Sequence, residues 1–163
     1  MERLVSVLER SGAAWCMIGG LAVNHWAAEP MATADVDIVI AATELDRCVE
    51  SLVQVGFRAE RFEWSVNLQG ESAVSVQIST DAFYRGFPDR GIETVVHGIP
   101  MRVASREDTL AGKLAAWKDP RRRASKRRKD LLDILRLVES HPDLMDEIPA
   151  EHRGEIKQAL ESP

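Results

Sequence analysis

The chain has 163 residues, of which 45% are hydrophobic, a size that suits one packed core and is short for two. Its 21 basic and 26 acidic side chains give a net charge of −5, which argues against a protein that binds nucleic acid with its whole surface. Two cysteines do not make a disulfide-stapled secreted fold, so we expect reduced thiols and a cytoplasmic protein.

Periodicity in the first 40 residues predicts alternating helices and strands. The N-terminal segment mixes charges into its apolar pattern, unlike a signal peptide, and no segment has the roughly 20 apolar residues of a membrane span. The predicted elements are a short helix over 3–8 stopped by Gly12, a strand over 13–18, a turn at Gly19 and Gly20, a helix over 21–26 closed by Pro30, and a strand over 36–40.

The remaining elements alternate less regularly and end in helices. Thr43 is predicted to cap the third helix with its hydroxyl. After it we expect a hairpin of strands 62–66 and 74–78 with its turn at 69–72, a second hairpin over 92–103 turning at His97 and Gly98, and helices over 105–117, 125–140 and 151–160. The class is therefore α+β: a mixed sheet flanked by helices, in a single domain over 1–163, with the sheet-containing core at about 1–104 and the C-terminal helices at about 105–163.

The stretch Ala32–Ile40 places two acids one residue apart at the start of the strand over 36–40. Residues two apart on a strand point to the same face, so Asp35 and Asp37 stand about 6.5–7 Å apart along the backbone and repel each other. A hard divalent cation relieves that repulsion, and Mg²⁺ commonly takes one or two carboxylates together with substrate phosphates. Taken alone, an Asp-x-Asp triplet also occurs in plain surface turns.

A glycine pair precedes these acids by one helix. The turn at Gly19 and Gly20 is either an ordinary turn between a strand and a helix or a place where backbone amides donate hydrogen bonds to phosphate oxygens. In combination, Met17-Ile18-Gly19-Gly20-Leu21 and Thr33-Ala34-Asp35-Val36-Asp37-Ile38 resemble the signature of the nucleotidyltransferase superfamily, which has a DNA polymerase beta-like fold. Downstream, the segments 103–116 and 127–134 resemble the C-terminal pattern of the AbiEii-like family of bacterial toxin nucleotidyltransferases.

The resemblance implies an enzyme that uses Mg²⁺ and a nucleoside triphosphate. It implies Asp35, Asp37, Lys113 and Asp130 as catalytic residues, Asp35 and Asp37 as metal ligands, and Gly19, Gly20, Lys113 and Lys129 as nucleotide-binding residues. The chain departs from the family at Gln77, which occupies the strand position where a third carboxylate is expected. An inactive homologue is therefore an alternative.

The residues themselves leave several roles open. Lys113 lies beside the apolar stripe of its helix, where a lysine either reaches solvent or addresses a charge in a cleft. Asp130 and Asp133 share a helix face and can pair with Lys113 or with arginines. His25 is predicted to be a structural histidine. Trp26, Trp64 and Trp117 are predicted to be core residues.

A basic run follows the first C-terminal helix. Seven of the nine residues from Arg121 to Lys129 are basic, so the rest of the chain carries a net charge of −12. Such a run is most often a solvated surface, but it also attracts polyanions. We expect transfer of an NMP group from NTP to an acceptor hydroxyl in a toxin-like protein, with tRNA or a protein as acceptor, RNA meeting the basic run, and a cognate antitoxin as partner. The alternatives are an antibiotic nucleotidyltransferase of the aminoglycoside or lincosamide type, and a noncatalytic nucleotide- or partner-binding module on the same fold.

Overall fold

The computed structural model describes residues 1–33, 35–72 and 74–161. Ala34 of the acidic motif and the last two residues of the predicted domain lie outside the described residues. The described residues form six α-helices: α1 Glu2–Ser11, α2 Gly19–Trp26, α3 Leu45–Gln54, α4 Arg106–Lys118, α5 Ala124–Ser140 and α6 Ala150–Glu161. The strands are β1 Trp15–Ile18, β2 Asp35–Ile40, β3 Arg58–Arg61, β4 Ser65–Gln69, β5 Ser75–Ser79, β6 Ile92–Val96 and β7 Ile99–Val103.

The described strands form one mixed sheet in the order β3-β4-β5-β2-β1-β7-β6. Strand β2 lies between β1, to which it is antiparallel, and β5, to which it is parallel. The β1–β7 pair is also parallel, and the other pairs are antiparallel hairpins. The predicted α+β class with a mixed sheet is confirmed.

The chain divides into two compact units, and the division separates the predicted functional residues. The first unit contains Met1–Leu21 and Ala32–Ser105 and holds the whole sheet. The second contains Ala22–Met31 and Arg106–Pro163, and its described residues are mainly helical. That the whole chain is one domain stays a prediction.

The helical unit has its own core. Leu110 of α4 and Ile134 and Leu137 of α5 are almost fully buried and pack with Val23 of α2 and Ile156 of α6. The sequence pattern predicted α4, α5 and α6 to within a few residues of their bounds. The apolar periodicity that buries Leu110 and Ile134 therefore also fixes which faces of α4 and α5 meet.

Three local predictions are wrong. Helix α3 begins at Leu45 with Glu44 as its N-cap and no side-chain capping bond, so the Thr43 hydroxyl does not cap it. The strand expected over 62–66 starts only at Ser65, as β4, because residues 62–64 form the turn that joins β3 to β4; Trp64 in this turn is 55% exposed rather than in the core. Residues Gly19 and Gly20 are the first residues of α2 rather than a separate turn.

The remaining observations agree with the sequence. Gly12 ends α1 in the left-handed conformation, and the hairpin of β6 and β7 turns at His97 and Gly98, both with positive φ. Cys16 and Cys48 are buried, and neither forms a disulfide in the described part of the chain. None of the helices in the described part of the chain has both the length and the apolar composition that crossing a bilayer requires.

Candidate functional site

The two acids of β2 lie on one face of the strand. Along β2 the even-numbered residues Val36 and Ile38 are 3% and 1% exposed, whereas Asp35 is exposed and Asp37 is half-buried. Because side chains alternate along a strand, the apolar residues fix which way the acids point. Asp37 is paired with Ile18, the last residue of β1, so it lies where the chain turns into α2.

Gly19 begins α2 directly against the Asp37 carboxylate. Its φ of +68° is a left-handed conformation that residues with a side chain rarely adopt. A Cβ atom added at Gly19 would lie 2.1 Å from Asp37 Oδ2, far inside any allowed contact. Glycine is therefore required here both by the backbone and by the carboxylate, which the sequence motif alone did not indicate.

Gln77 lies directly beside Asp37 in the neighbouring strand. In the parallel β2–β5 pair Asp37 faces Gln77, and in the β4–β5 pair Gln77 faces Asn67. The row that starts at Asp37 therefore continues with neutral amides rather than carboxylates. Consistent with this, the described residues contain no group of three or more His, Cys, Asp or Glu side chains placed to hold a metal ion.

A second cluster of charges lies in the helical unit, between α4 and α5. Lys113 Nζ is 3.1 Å from Asp130 Oδ1 and 2.7 Å from Asp133 Oδ2. Both carboxylates are 1% exposed and Lys113 is 8% exposed. The predicted pairing of the two acids with Lys113 and with arginines is confirmed. Lys113 Nζ donates one hydrogen bond, to Asp130 Oδ1, whereas its contact with Asp133 Oδ2 is an ion pair without hydrogen-bond geometry, so two of its three N–H donors are not used in these contacts.

Two arginines complete this cluster, and the sequence pattern did not identify either one as a partner. Arg122 Nε donates to Asp130 Oδ2 at 2.7 Å, and Arg136 Nη1 donates to Asp133 Oδ1 at 2.9 Å. The five side chains form an alternating row of cations and anions with a net charge of +1. Arg136 is three residues from Asp133 on α5, a spacing that could have revealed the pair, whereas Arg122 lies on the turn before α5.

The basic run from Arg121 to Lys129 divides into internally bound and outward side chains. Besides Arg122, Arg121 pairs with Asp119 at 3.0 Å and Arg127 donates to the Trp117 carbonyl. The hydrogen bond from Arg121 lowers the pKa of Asp119. In the described residues, no ion pair involves the others, which are Arg123, Lys126, Arg128 and Lys129.

The remaining aromatic and histidine predictions are mostly supported. Trp117 is 5% exposed, and Trp26 is half-buried against the same helical core. His25 is half-buried with its ring 4.7 Å from that of Trp26, and burial lowers its pKa. This is the environment of a structural histidine.

The structure thus brings the predicted residues together in two groups. Gly19, Gly20, Asp35 and Asp37 belong to the sheet-containing unit, and Lys113, Asp130 and Lys129 belong to the helical unit. The catalytic, nucleotide-binding and metal-binding roles of all seven stay predictions.

The sheet topology, with an acid pair on β2 beside a helix that begins at a glycine, is that of the nucleotidyltransferase fold. Solved structures with this fold are similar to the chain. LnuA, a lincosamide antibiotic adenylyltransferase solved with lincomycin, is 14% identical, with a TM-score of 0.57 over 83% of this chain and 94% of that chain. The antibiotic-resistance factor ANT(2'')-Ia is 14% identical, with a TM-score of 0.60 over 97% of this chain and 87% of that chain. An antigenic nucleotidyltransferase-like protein from Paracoccidioides brasiliensis is 17% identical, with a TM-score of 0.57 over 90% and 88%.

A match to a protein family classifies the chain more narrowly than its fold does. The family described as "Nucleotidyl transferase AbiEii toxin, Type IV TA system" matches residues 7–161. The chain therefore belongs to the AbiEii nucleotidyltransferase family. No curated protein sequence matches the chain.

Proposed function

We propose that the protein is a Mg²⁺-dependent nucleotidyltransferase that moves an NMP group from NTP to an acceptor hydroxyl and releases pyrophosphate. The observation that carries the proposal is the arrangement of Asp35 and Asp37 on one face of β2, with the side-chain-free Gly19 against Asp37. Two carboxylates at successive same-face positions present several hard oxygen atoms in a small volume. The space that a Cβ at Gly19 would fill is left to the carboxylate and its ligand.

These residues suit magnesium. Mg²⁺ takes oxygen ligands, commonly one or two carboxylates, and fills the rest of its shell with water and substrate phosphates. Asp35 and Asp37 would hold the ion, which would stabilise the charge that develops on the triphosphate during transfer. The backbone amides of Gly19 and Gly20, at the start of α2, lie at the positive end of the helix, where they would receive phosphate oxygens.

The residues of the helical unit take their proposed roles from the family resemblance. Lys113 would neutralise phosphate charge with the N–H donors that its hydrogen bond to Asp130 leaves, and Lys129 would assist it. By the same resemblance, Asp130 would orient the acceptor hydroxyl or accept its proton.

The proposed acceptor is tRNA or a protein, in a toxin-like role in the cytoplasm with a cognate antitoxin. The family's description as a toxin of a type IV system supports the toxin and the antitoxin. The outward cations Lys126 and Arg128 favour RNA, because binding of a phosphodiester backbone is driven largely by such charges. A hydroxyl-bearing antibiotic, the substrate class named for LnuA, is the alternative outcome of the test.

A labelled-nucleotide screen tests the proposed function. The wild type and an Asp35→Asn/Asp37→Asn double variant are incubated with Mg²⁺, each α-labelled NTP, total tRNA and cell extract, with and without an added aminoglycoside or lincosamide. We expect label in a tRNA-sized or protein band with the wild type and at least a hundredfold less with the double variant, because asparagine carries no charge to hold the metal. Label that appears equally with both proteins would overturn the proposal, and label only on an added aminoglycoside or lincosamide would select the antibiotic alternative.

Gln77 favours a second candidate, a noncatalytic nucleotide-binding module. Its position beside Asp37 leaves that row of the sheet with one carboxylate. The outcome that would select this candidate is NTP binding by the wild type without label in any RNA, protein or small molecule.

Restoring a carboxylate at position 77 is expected to strengthen divalent-ion binding. In a Gln77→Asp variant, Mg²⁺ should raise the melting temperature about 3–6 °C more than in the wild type, which corresponds to roughly tenfold tighter binding. The matched control is Asn67→Asp, which adds the same charge to the same row one strand farther from Asp37. Differential scanning fluorimetry with EDTA or Mg²⁺ measures the shifts; equal shifts in both variants would show that position 77 is not next to a metal site.

A further inference from the structure

The turn between α4 and α5 holds an arginine that is bound on one side and open on the other. Arg122 Nε donates to Asp130 Oδ2 at 2.7 Å, and its side chain is 40% exposed while that of Asp130 is 2% exposed. Neither terminal nitrogen of its guanidinium has a hydrogen-bond partner among the residues described. The guanidinium therefore uses one of its five N–H donors in a hydrogen bond within the protein.

The same turn is itself fixed. The Arg122 amide donates to the Asp119 carbonyl at 3.1 Å, and the Asp119 carboxylate accepts from the Arg121 amide at 2.9 Å. Helix α5 starts immediately afterwards, with the amides of Lys126 and Arg127 both donating to the Arg123 carbonyl. Arg122 is thus held by its backbone and by Nε, so a ligand that binds its terminal nitrogens does not have to order a free side chain.

We propose that Arg122 is a phosphate-binding residue whose guanidinium Asp130 holds in place. The planar guanidinium can present two parallel N–H groups to a phosphate while Nε remains on Asp130. The neighbouring cations of the basic run raise the local positive potential and make an anion the fitting ligand. The phosphate belongs to the NTP or to an RNA acceptor. These two sources are the substrate and the acceptor of the proposed function, on which the inference rests in this respect.

The chemistry distinguishes Arg122 from the arginine next to it. Arg123 is exposed and makes no ion pair among the described residues, so it contributes charge without a fixed orientation. A lysine at position 122 has one ammonium group, which can pair with Asp130 or reach outward but lacks the planar geometry to do both as arginine does. A lysine at position 123 keeps everything that Arg123 provides there.

Binding measurements with Arg122→Lys and the matched control Arg123→Lys test the inference. The probes are a triphosphate with a methylene group between its α- and β-phosphates, and labelled total tRNA. We expect Arg122→Lys to melt near the wild-type temperature, because Asp130 keeps a cation, and to bind one probe about tenfold more weakly. Arg123→Lys should stay within about twofold of the wild type for both probes, since it preserves the charge.

The probe whose affinity falls in Arg122→Lys identifies the source of the phosphate. Loss of triphosphate affinity alone assigns Arg122 to the nucleotide, and loss of tRNA affinity alone assigns it to the acceptor. Arg122→Lys that binds both probes like Arg123→Lys overturns the inference, as does a wild type that binds neither. An Arg122→Gln variant separates folding from binding, because it removes the cation from a buried carboxylate and should also lower the melting temperature. A wild type that binds through Arg122 but transfers no label would overturn the proposed function and leave this inference standing.

Discussion

Replacing Gly19 by alanine is expected to reduce nucleotidyl transfer by about a hundredfold or more, because displacing a catalytic group by about 1 Å can have that effect. The new Cβ would stand 2.1 Å from Asp37 Oδ2, so either the carboxylate or the start of α2 must move. The left-handed backbone at φ +68° adds strain of about 1–2 kcal/mol for a residue with a side chain. Initial rates at saturating Mg²⁺ and NTP, with the melting temperature of each protein, measure the two effects.

Gly12 provides the matched control for this substitution. Its φ of +67° is nearly that of Gly19, but nothing lies within 4 Å of the Cβ that alanine would add. Gly12→Ala should therefore carry the backbone strain alone, with a lower melting temperature and an unchanged rate. If Gly12→Ala lost as much activity as Gly19→Ala, general destabilisation would explain the loss, and the contact with Asp37 would not.

The elements that could be predicted from the sequence are those with strong local signals. Strand β2 was predicted from its β-branched run, α1 from its periodicity and Gly12, and α4 and α5 from their apolar stripes. Strand β3 was missed because its residues, Arg58–Arg61, are all exposed and carry no alternating apolar pattern. It exists through its ladder with β4, which is a tertiary effect that a local pattern does not contain.

The same distinction applies to the candidate site. The acid spacing at Asp35 and Asp37 was enough to place both carboxylates on one face, because strand periodicity is a local rule. The contact between Gly19 and Asp37 depends on β1 and β2 pairing in a particular register, which the sequence motif does not specify. The pairing of Arg122 with Asp130 spans eight residues across a turn, so neither helix spacing nor strand alternation could indicate it.

The buried charges of the helical unit are expected to respond most strongly to the loss of Lys113. A Lys113→Met variant keeps a long unbranched side chain but removes the one cation shared by Asp130 and Asp133, whose side chains are both 2% exposed. Removing one partner of a buried ion pair typically lowers stability by about 3–5 kcal/mol, and we expect a loss near the lower end because Arg122 and Arg136 remain paired with the two carboxylates. Urea denaturation of both proteins, followed by circular dichroism, measures the change in the free energy of unfolding.

Lys118, on the same helix, shows why burial decides the size of this effect. Its ammonium pairs with Glu155 at 3.0 Å and lies 3.6 Å from the centre of the Trp117 ring, but the side chain is 36% exposed. Lys118→Met should therefore lower the free energy of unfolding by no more than about 1–2 kcal/mol. Water screens the exposed ion pair, and a cation–aromatic contact at the surface contributes little. Equal losses in the two variants would mean that the carboxylates of Asp130 and Asp133 do not depend on Lys113 for their charge compensation. A larger loss of stability in Lys113→Met than in Lys118→Met would show that Lys113 stabilises the buried carboxylate of Asp130. That role would hold whether or not Lys113 also contacts a nucleotide.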